Sequence, residues 1–181
     1  MFRNIGKKED YVEMTRSNDG LYKIEWDYRP IRVTIYESED SDSSEIIETI
    51  DDTFASWEQE VFTRKPDISE IKEIILSYYD DKTNKKIVND FKWIGRNGEV
   101  VNPKLTPDNQ SIFKNIFDSN GSRFPFIVEY DGSESEPSYY EFTEVDEFLN
   151  FYSSCLNHID TCNQEGQIEK ESIDWSLYQI K

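Results

Sequence analysis

The apolar residues of this chain change their period partway along, and that change limits the folds open to it. Tyr22, Ile24 and Trp26 alternate with polar residues, and so do Ile31, Val33 and Ile35. That is the period of strands with one covered face. From Ile71 the spacing lengthens. Ile71, Ile74, Ile75 and Tyr78 share one helical face, as do Ile112, Phe113, Ile116 and Phe117, and later Val145, Phe148, Leu149, Tyr152, Leu156 and Ile159. A chain that is strand-like first and mixed afterwards is expected to form an α+β fold, with small antiparallel sheets and hairpins packed against two to three helices.

Local signals refine this outline. Asn18-Asp19-Gly20 marks a turn after a short strand at Tyr11–Met14, and Asp27-Tyr28-Arg29-Pro30 reads as a connection between two strands. Ile46–Thr53 and Phe54–Phe62 read as one strand and then another strand or extended segment. Asp67 with Glu70 forms a capping box for a helix that is expected to stop near Asp80-Asp81. Lys86–Trp93 is expected to be a strand, with Asn97-Gly98 turning it back into Glu99-Val100-Val101. Thr106-Pro107 opens a second helix that ends before Asn120-Gly121. Phe124–Tyr130 and Ser138–Phe142 make a hairpin around the acidic loop Asp131–Pro137. Thr143 with Asp146 is expected to cap the longest helix and Gly166 to close it. Ile173, Trp175, Leu177 and Tyr178 form a short apolar end suited to docking on the core. The expected division is a mainly β part over 1–65, serving as a docking or adaptor region, and an α+β domain over 66–181.

Charge narrows the partners. Asp and Glu number 38 against 20 Lys and Arg, a formal net charge of −18. The excess is concentrated, with eight acids and no base from Glu37 to Asp52, and eleven acids and no Lys or Arg from Phe124 to Glu169. Such a surface repels phosphate backbones and anionic membranes, so neither nucleic acid nor membrane is an expected partner. Cys155 and Cys162 lie about 10 Å apart along a helix, too far for a mutual disulfide. Two free thiols suit a reducing compartment. The opening residues lack a signal-peptide core and no run approaches the length of a membrane span. The expected place of synthesis is the cytoplasm, which the protein leaves only as part of a particle.

Catalytic motifs are absent from the sequence. The single histidine, His158, sits between Leu156 and Ile159 in a helical pattern, where a core-edge or surface position is expected. No glycine-rich phosphate loop occurs. Cys155, His158 and Cys162 share helical faces, but a zinc site would need a fourth ligand that no other pattern supplies. Asp131-Gly132-Ser133-Glu134-Ser135-Glu136 lacks the ligand register of a calcium loop. The expectation is a protein that is not an enzyme, with no catalytic residues, no cofactor and no metal.

One resemblance covers nearly the whole chain. Its carriers in the second part include Lys65–Lys72, Ile87–Gly95, Asn109–Phe113 and Phe124-Pro125-Phe126, followed by Tyr139–Phe142 and Ile168–Trp175. Met1–Ile5, Asp10-Tyr11-Val12 and Tyr28–Arg32 carry it near the start. In order and spacing these resemble small proteins of phages and prophages of Bacteroidales, the crAss-like phages included, and a domain of unknown function found beside tail-fibre genes. The resemblance implies phage morphogenesis and supplies no catalytic residues.

The expectation that follows is a virion structural protein, fibre-associated, adaptor or decoration subunit, that binds fibre, head or tail subunits and forms a homo-oligomer. Phe2, Ile5 and Tyr11 are the expected partner-binding residues, on a docking arm ahead of the first clear strand. A tail-fibre assembly chaperone is the first alternative. An acidic early protein that inhibits a host nucleic-acid-binding protein is the second.

Overall fold

Among the described residues, three helices and seven strands in three small antiparallel sheets make up the α+β fold expected from the sequence. The computed structural model describes residues 12–36, 46–131 and 137–179, with 32–36 and 46–53 described in their backbone only. The expected loop over 37–45 and most of the acidic loop 131–137 lie outside the described residues. The fold divides into two units. One comprises residues 1–75 and 174–181, the other 76–173.

The first unit is built on a three-stranded sheet in the order β1-β2-β3, formed by β1 (Met14–Arg16), β2 (Tyr22–Tyr36) and β3 (Ile46–Phe62). β2 and β3 have 15 and 17 residues, where a strand usually has about 5–6. The expected connection at Asp27–Pro30 is instead part of β2. Asp27 takes a left-handed φ of 54° without ending the strand, a conformation that Asp tolerates better than most residues. Pro30 pairs with Phe54. A proline inside a ladder is tolerated where its missing N–H faces away from the partner strand. The two segments expected over 46–62 are likewise one strand, and the ladder accommodates irregularities between Ile31 and Val33 and between Ile35 and Tyr36. β1 covers only the start of β2, pairing Met14 with Ile24 and Arg16 with Tyr22.

This unit buries charge as well as apolar surface. Ile24, Ala55, Ile71 and Ile75 are fully buried, and so is Glu25. Glu25 accepts a hydrogen bond from Ser56 Oγ at 3.1 Å and pairs with Lys23 Nζ at 3.2 Å. A buried carboxylate needs such partners, because losing them would leave it desolvated and uncompensated. The turn Trp175–Tyr178 brings the C-terminal segment back, and the buried Tyr178 hydroxyl donates to Glu25 O at 3.0 Å. Docking of this apolar end was expected. Tyr178 carries it, while Leu177 remains exposed.

Helix α1 (Ile68–Asn89) starts at the predicted capping box: Asp67 Oδ1 accepts from Ser69 N and Glu70 N at 2.8 and 3.0 Å, and Glu70 Oε2 accepts from Asp67 N at 2.9 Å. It does not stop at Asp80-Asp81, and Lys86–Asn89 is helix rather than strand. The apolar stripe ends at Tyr78, but the polar turns beyond it meet α3 (Val145–Glu171) through ion pairs. Lys82 reaches Glu169 at 2.9 Å, Lys86 reaches Glu165 at 3.4 Å, and Lys170 reaches Asp80 at 2.5 Å. Each such pair contributes at most about 1 kcal/mol at a surface. The close packing beside them matters more.

Gly166 is the centre of that packing. It is buried within α3 and does not close the helix, which runs on to Glu171. A Cβ at this position would lie 2.1 Å from Thr83 Oγ1, so glycine is what lets α1 and α3 approach. The N-terminus of α3 also differs from expectation. Glu144 is the capping residue and makes no side-chain cap bond, while Thr143 Oγ1 accepts from Arg96 instead.

The core of the second unit is aromatic. Phe151 is fully buried and makes edge-to-face contacts with Phe91, Trp93 and Phe113 at centroid distances of 5.8, 5.5 and 5.2 Å. Phe91 and Trp93 follow α1, with Trp93 in the pair β4 (Trp93–Ile94) and β5 (Val100–Val101), closed by Gly98 at φ 82°. Phe113 belongs to α2 (Pro107–Asp118), whose Thr106 cap and N-terminal proline are as predicted. Phe142 comes from the hairpin β6 (Phe126–Asp131) and β7 (Pro137–Phe142). The buried faces differ from the expected stripes, narrower on α2 and rotated on α3, where Phe148 alone belongs to both sets. On α2 only Phe113 and Ile116 are buried, with Ile112 and Phe117 exposed. On α3 the buried set is Phe148, Phe151, Cys155, Cys162 and Gly166, and Val145 and Leu156 face solvent.

Replacing glycine by alanine in mid-helix ordinarily stabilises by about 1 kcal/mol. Gly166→Ala is expected to do the opposite, destabilising by about 1–3 kcal/mol through overpacking against Thr83. Thr83→Ala in the same chain should recover much of the loss, as read from chemical denaturation midpoints. A stabilised G166A variant would show that the two helices do not meet there.

Candidate functional site

Four places gather groups able to bind or react. The first is a polar cluster where β4, β7 and α3 converge. Tyr140 OH accepts from Arg96 N at 3.1 Å and donates to Glu147 Oε1. Arg96 Nη2 donates to Glu147 Oε2 at 2.8 Å and to Glu141 O at 2.6 Å, while Nη1 donates to Thr143 Oγ1 at 3.2 Å. The guanidinium is thus held by a carboxylate, a carbonyl and a hydroxyl, and the buried phenol both accepts and donates. These groups spend their bonding capacity on one another. The cluster braces the start of α3 and holds β7 against it.

The second place is the helical set expected to be structural: Cys155, His158 and Cys162. His158 Nε2 lies 3.2 Å from Lys86 O, which as a carbonyl can only accept. That contact makes Nε2–H the donor, and the Cys162 sulfur lies beside the ring, 3.7 Å from Nε2 and 4.0 Å from Nδ1. Both cysteines are free and buried. Burial pushes the Cys155 thiol up to about 12 and raises that of Cys162, with Glu165 adding to the second shift. A nucleophilic cysteine needs the opposite shift. Among the described residues no group of three or more His, Cys, Asp and Glu side chains is placed to hold a metal ion.

The third place is the flank of α2, which carries two open grooves of about 490 and 430 Å³. Phe113 lies on the floor of both. Phe126 and Val128 line the first, whose rim is spanned by the Lys104–Asp131 pair at 3.4 Å. Tyr152, Cys155 and Ile159 line the second. The second has mainly apolar walls, which suits side-chain contact better than chemistry, whereas the first mixes apolar residues with Lys104, Asn109, Glu129 and Asp131.

The fourth is the β2–β3 ribbon. β3 is the terminal strand of its sheet, and among the described residues no strand pairs with its outer side. Trp57, Val61 and Glu60 are exposed there, and Arg29 stacks over the Trp57 ring at 4.8 Å. A long strand edge with aromatic and apolar residues in reach is a template for association with another chain.

The expected partner-binding residues Phe2, Ile5 and Tyr11 lie outside the described residues. What the sequence reading missed is the length of the ribbon and the exposure of Ile112, Phe117 and Leu156. The signal for the first was present in the acid-rich but unbroken run from Ile46 to Phe62. Among the described residues no helix is long and apolar enough to cross a membrane. Comparison of the chain with known protein families, with curated proteins and with solved structures finds no match.

Two outcomes follow from this geometry. Tyr140→Phe leaves the Arg96 N–H and the Glu147 carboxylate each without the phenol oxygen, and should cost about 1–3 kcal/mol in denaturation, whereas Thr143→Ala removes one exposed contact and should cost less. Both thiols should resist a disulfide reagent at pH 8 in the native protein and react at once in denaturant. A thiol with a pKa of about 12 is ionised in only about one molecule in ten thousand at that pH. Rapid labelling of the native protein at Cys155 would contradict the buried position.

Proposed function

We propose that this protein is a structural subunit of a bacteriophage virion, a fibre-associated, adaptor or decoration protein that works by binding other structural proteins. The observation that carries the reading is the β2–β3 ribbon, two strands of about three times the usual length with a terminal edge. Strands of this length supply main-chain donors and acceptors for a partner, and assembly by strand addition uses that chemistry. The order of motifs that resembles phage and prophage proteins supports the particle as the setting. The acidic surface favours partners other than nucleic acid. A homo-oligomer is part of this reading.

The same edge also suits a tail-fibre assembly chaperone, which would hold a strand of an unfinished fibre and leave before maturation. Quantitative mass spectrometry of purified virions separates the two. A structural subunit is expected at a fixed stoichiometric ratio to the other virion proteins. Complete absence from particles, with abundance in infected cells, would replace the subunit by the chaperone.

A further inference from the structure

We propose that the outer edge of β3, between Phe54 and Phe62, takes up a basic extended segment of a partner protein as an additional strand. The inference rests on the reading that the chain works by protein binding, and does not depend on its place in a particle. The two edges of the ribbon are unlike. The β2 side is covered by β1 opposite Tyr22–Ile24 and carries Pro30, which has no N–H to offer an incoming strand. The β3 side has neither a covering strand among the described residues nor a proline.

Charge then selects the occupant. β3 contains Glu48, Asp51, Asp52, Glu58 and Glu60 and no Lys or Arg, whereas β2 contains Lys23, Arg29 and Arg32. A second copy of this chain adding edge to edge would set acid against acid, and like charges on facing strands are destabilising. Charge on an edge strand is also a common guard against self-association. A partner strand that alternates basic and apolar residues meets both faces of β3. Its cations lie on the side of Glu58 and Glu60, and its apolar side chains on the side of Gln59 and the exposed Val61. Main-chain bonds would supply the affinity and the alternating side chains the selection.

The test uses the full chain and a peptide of about twelve residues alternating lysine and valine. A second peptide has the same sequence with every backbone nitrogen methylated, so its charge is kept and its amide donors are gone. The unmodified peptide is expected to bind at least about tenfold more tightly than the methylated one, to lose about tenfold or more on Glu58→Lys with Glu60→Lys, and to weaken as salt rises. Hydrogen exchange should slow at β3 amides when it binds. Equal binding of the two peptides, binding of neither, or protection confined to other segments overturns the proposal. The peptide comparison needs no variant, so a misfolded charge-reversal mutant leaves the test intact. Failure here removes a basic strand as the occupant of this edge while presence in virions is read separately by mass spectrometry, and absence from virions leaves the β3 edge standing.

Discussion

Phe151 is the residue on which the second unit depends. Its ring meets Phe91 and Trp93 from the segment after α1, Phe113 from α2 and Phe142 from the β6–β7 hairpin. The first three are edge-to-face pairs, which fix relative orientation as well as removing area from water. One side chain therefore relates two helices, a strand pair and a hairpin. Trp93 adds a polar constraint, since its indole N–H donates to Asn150 at 2.8 Å on the same helix that carries Phe151. The Arg96–Tyr140–Glu147 cluster and the Gly166–Thr83 contact then set α3 at its two ends.

In the first unit the governing constraint is different, because much of the buried surface there is polar. Glu25 is held by Ser56 and Lys23, its carbonyl receives the Tyr178 hydroxyl, and its N–H donates to Glu13 O at 2.9 Å. Two residues on, Asp27 takes its left-handed φ and pairs with Arg29. A carboxylate buried in this way tolerates only one register, since a one-residue slip would turn it to the other face and break every contact at once. The ribbon is thereby anchored at one part of its length. β1 pairs with only the first residues of β2, and over the rest of the ribbon β2 and β3 are paired with each other.

Each misreading of the sequence has a physical cause in a contact distant along the chain. α1 outran its apolar stripe because its later turns pack on α3 at Gly166 and bury Ile87, with Lys82 and Lys86 paired to Glu169 and Glu165 beside them. Gly166 resembled a helix end, since glycine often is one, but it serves a close approach to Thr83. Thr143 resembled a cap, yet its hydroxyl is taken by Arg96. Asp27–Pro30 resembled a turn because both residue types favour turns, and a long ladder on β3 overrode that preference. The candidate site was legible only in part: the acid-rich run was visible, while its shape as a strand edge was not.

What the sequence by itself determined is the kind of local structure and where the punctuation falls. The α+β class, the capping box at Asp67, the Thr106-Pro107 start of α2, the Asn97-Gly98 turn and the β6–β7 hairpin are all written in short-range chemistry of neighbouring residues. What only the tertiary structure decided is how far each element runs and which of its faces is covered. Those depend on partners supplied from elsewhere in the chain, so Leu156 is exposed and Phe151 buried although the helical stripe read from the sequence included Leu156 and left out Phe151. The single edge of β3 belongs to the second kind. Among the described residues β2 has two neighbours over its first residues and β3 has one, a property of pairing that no local pattern encodes.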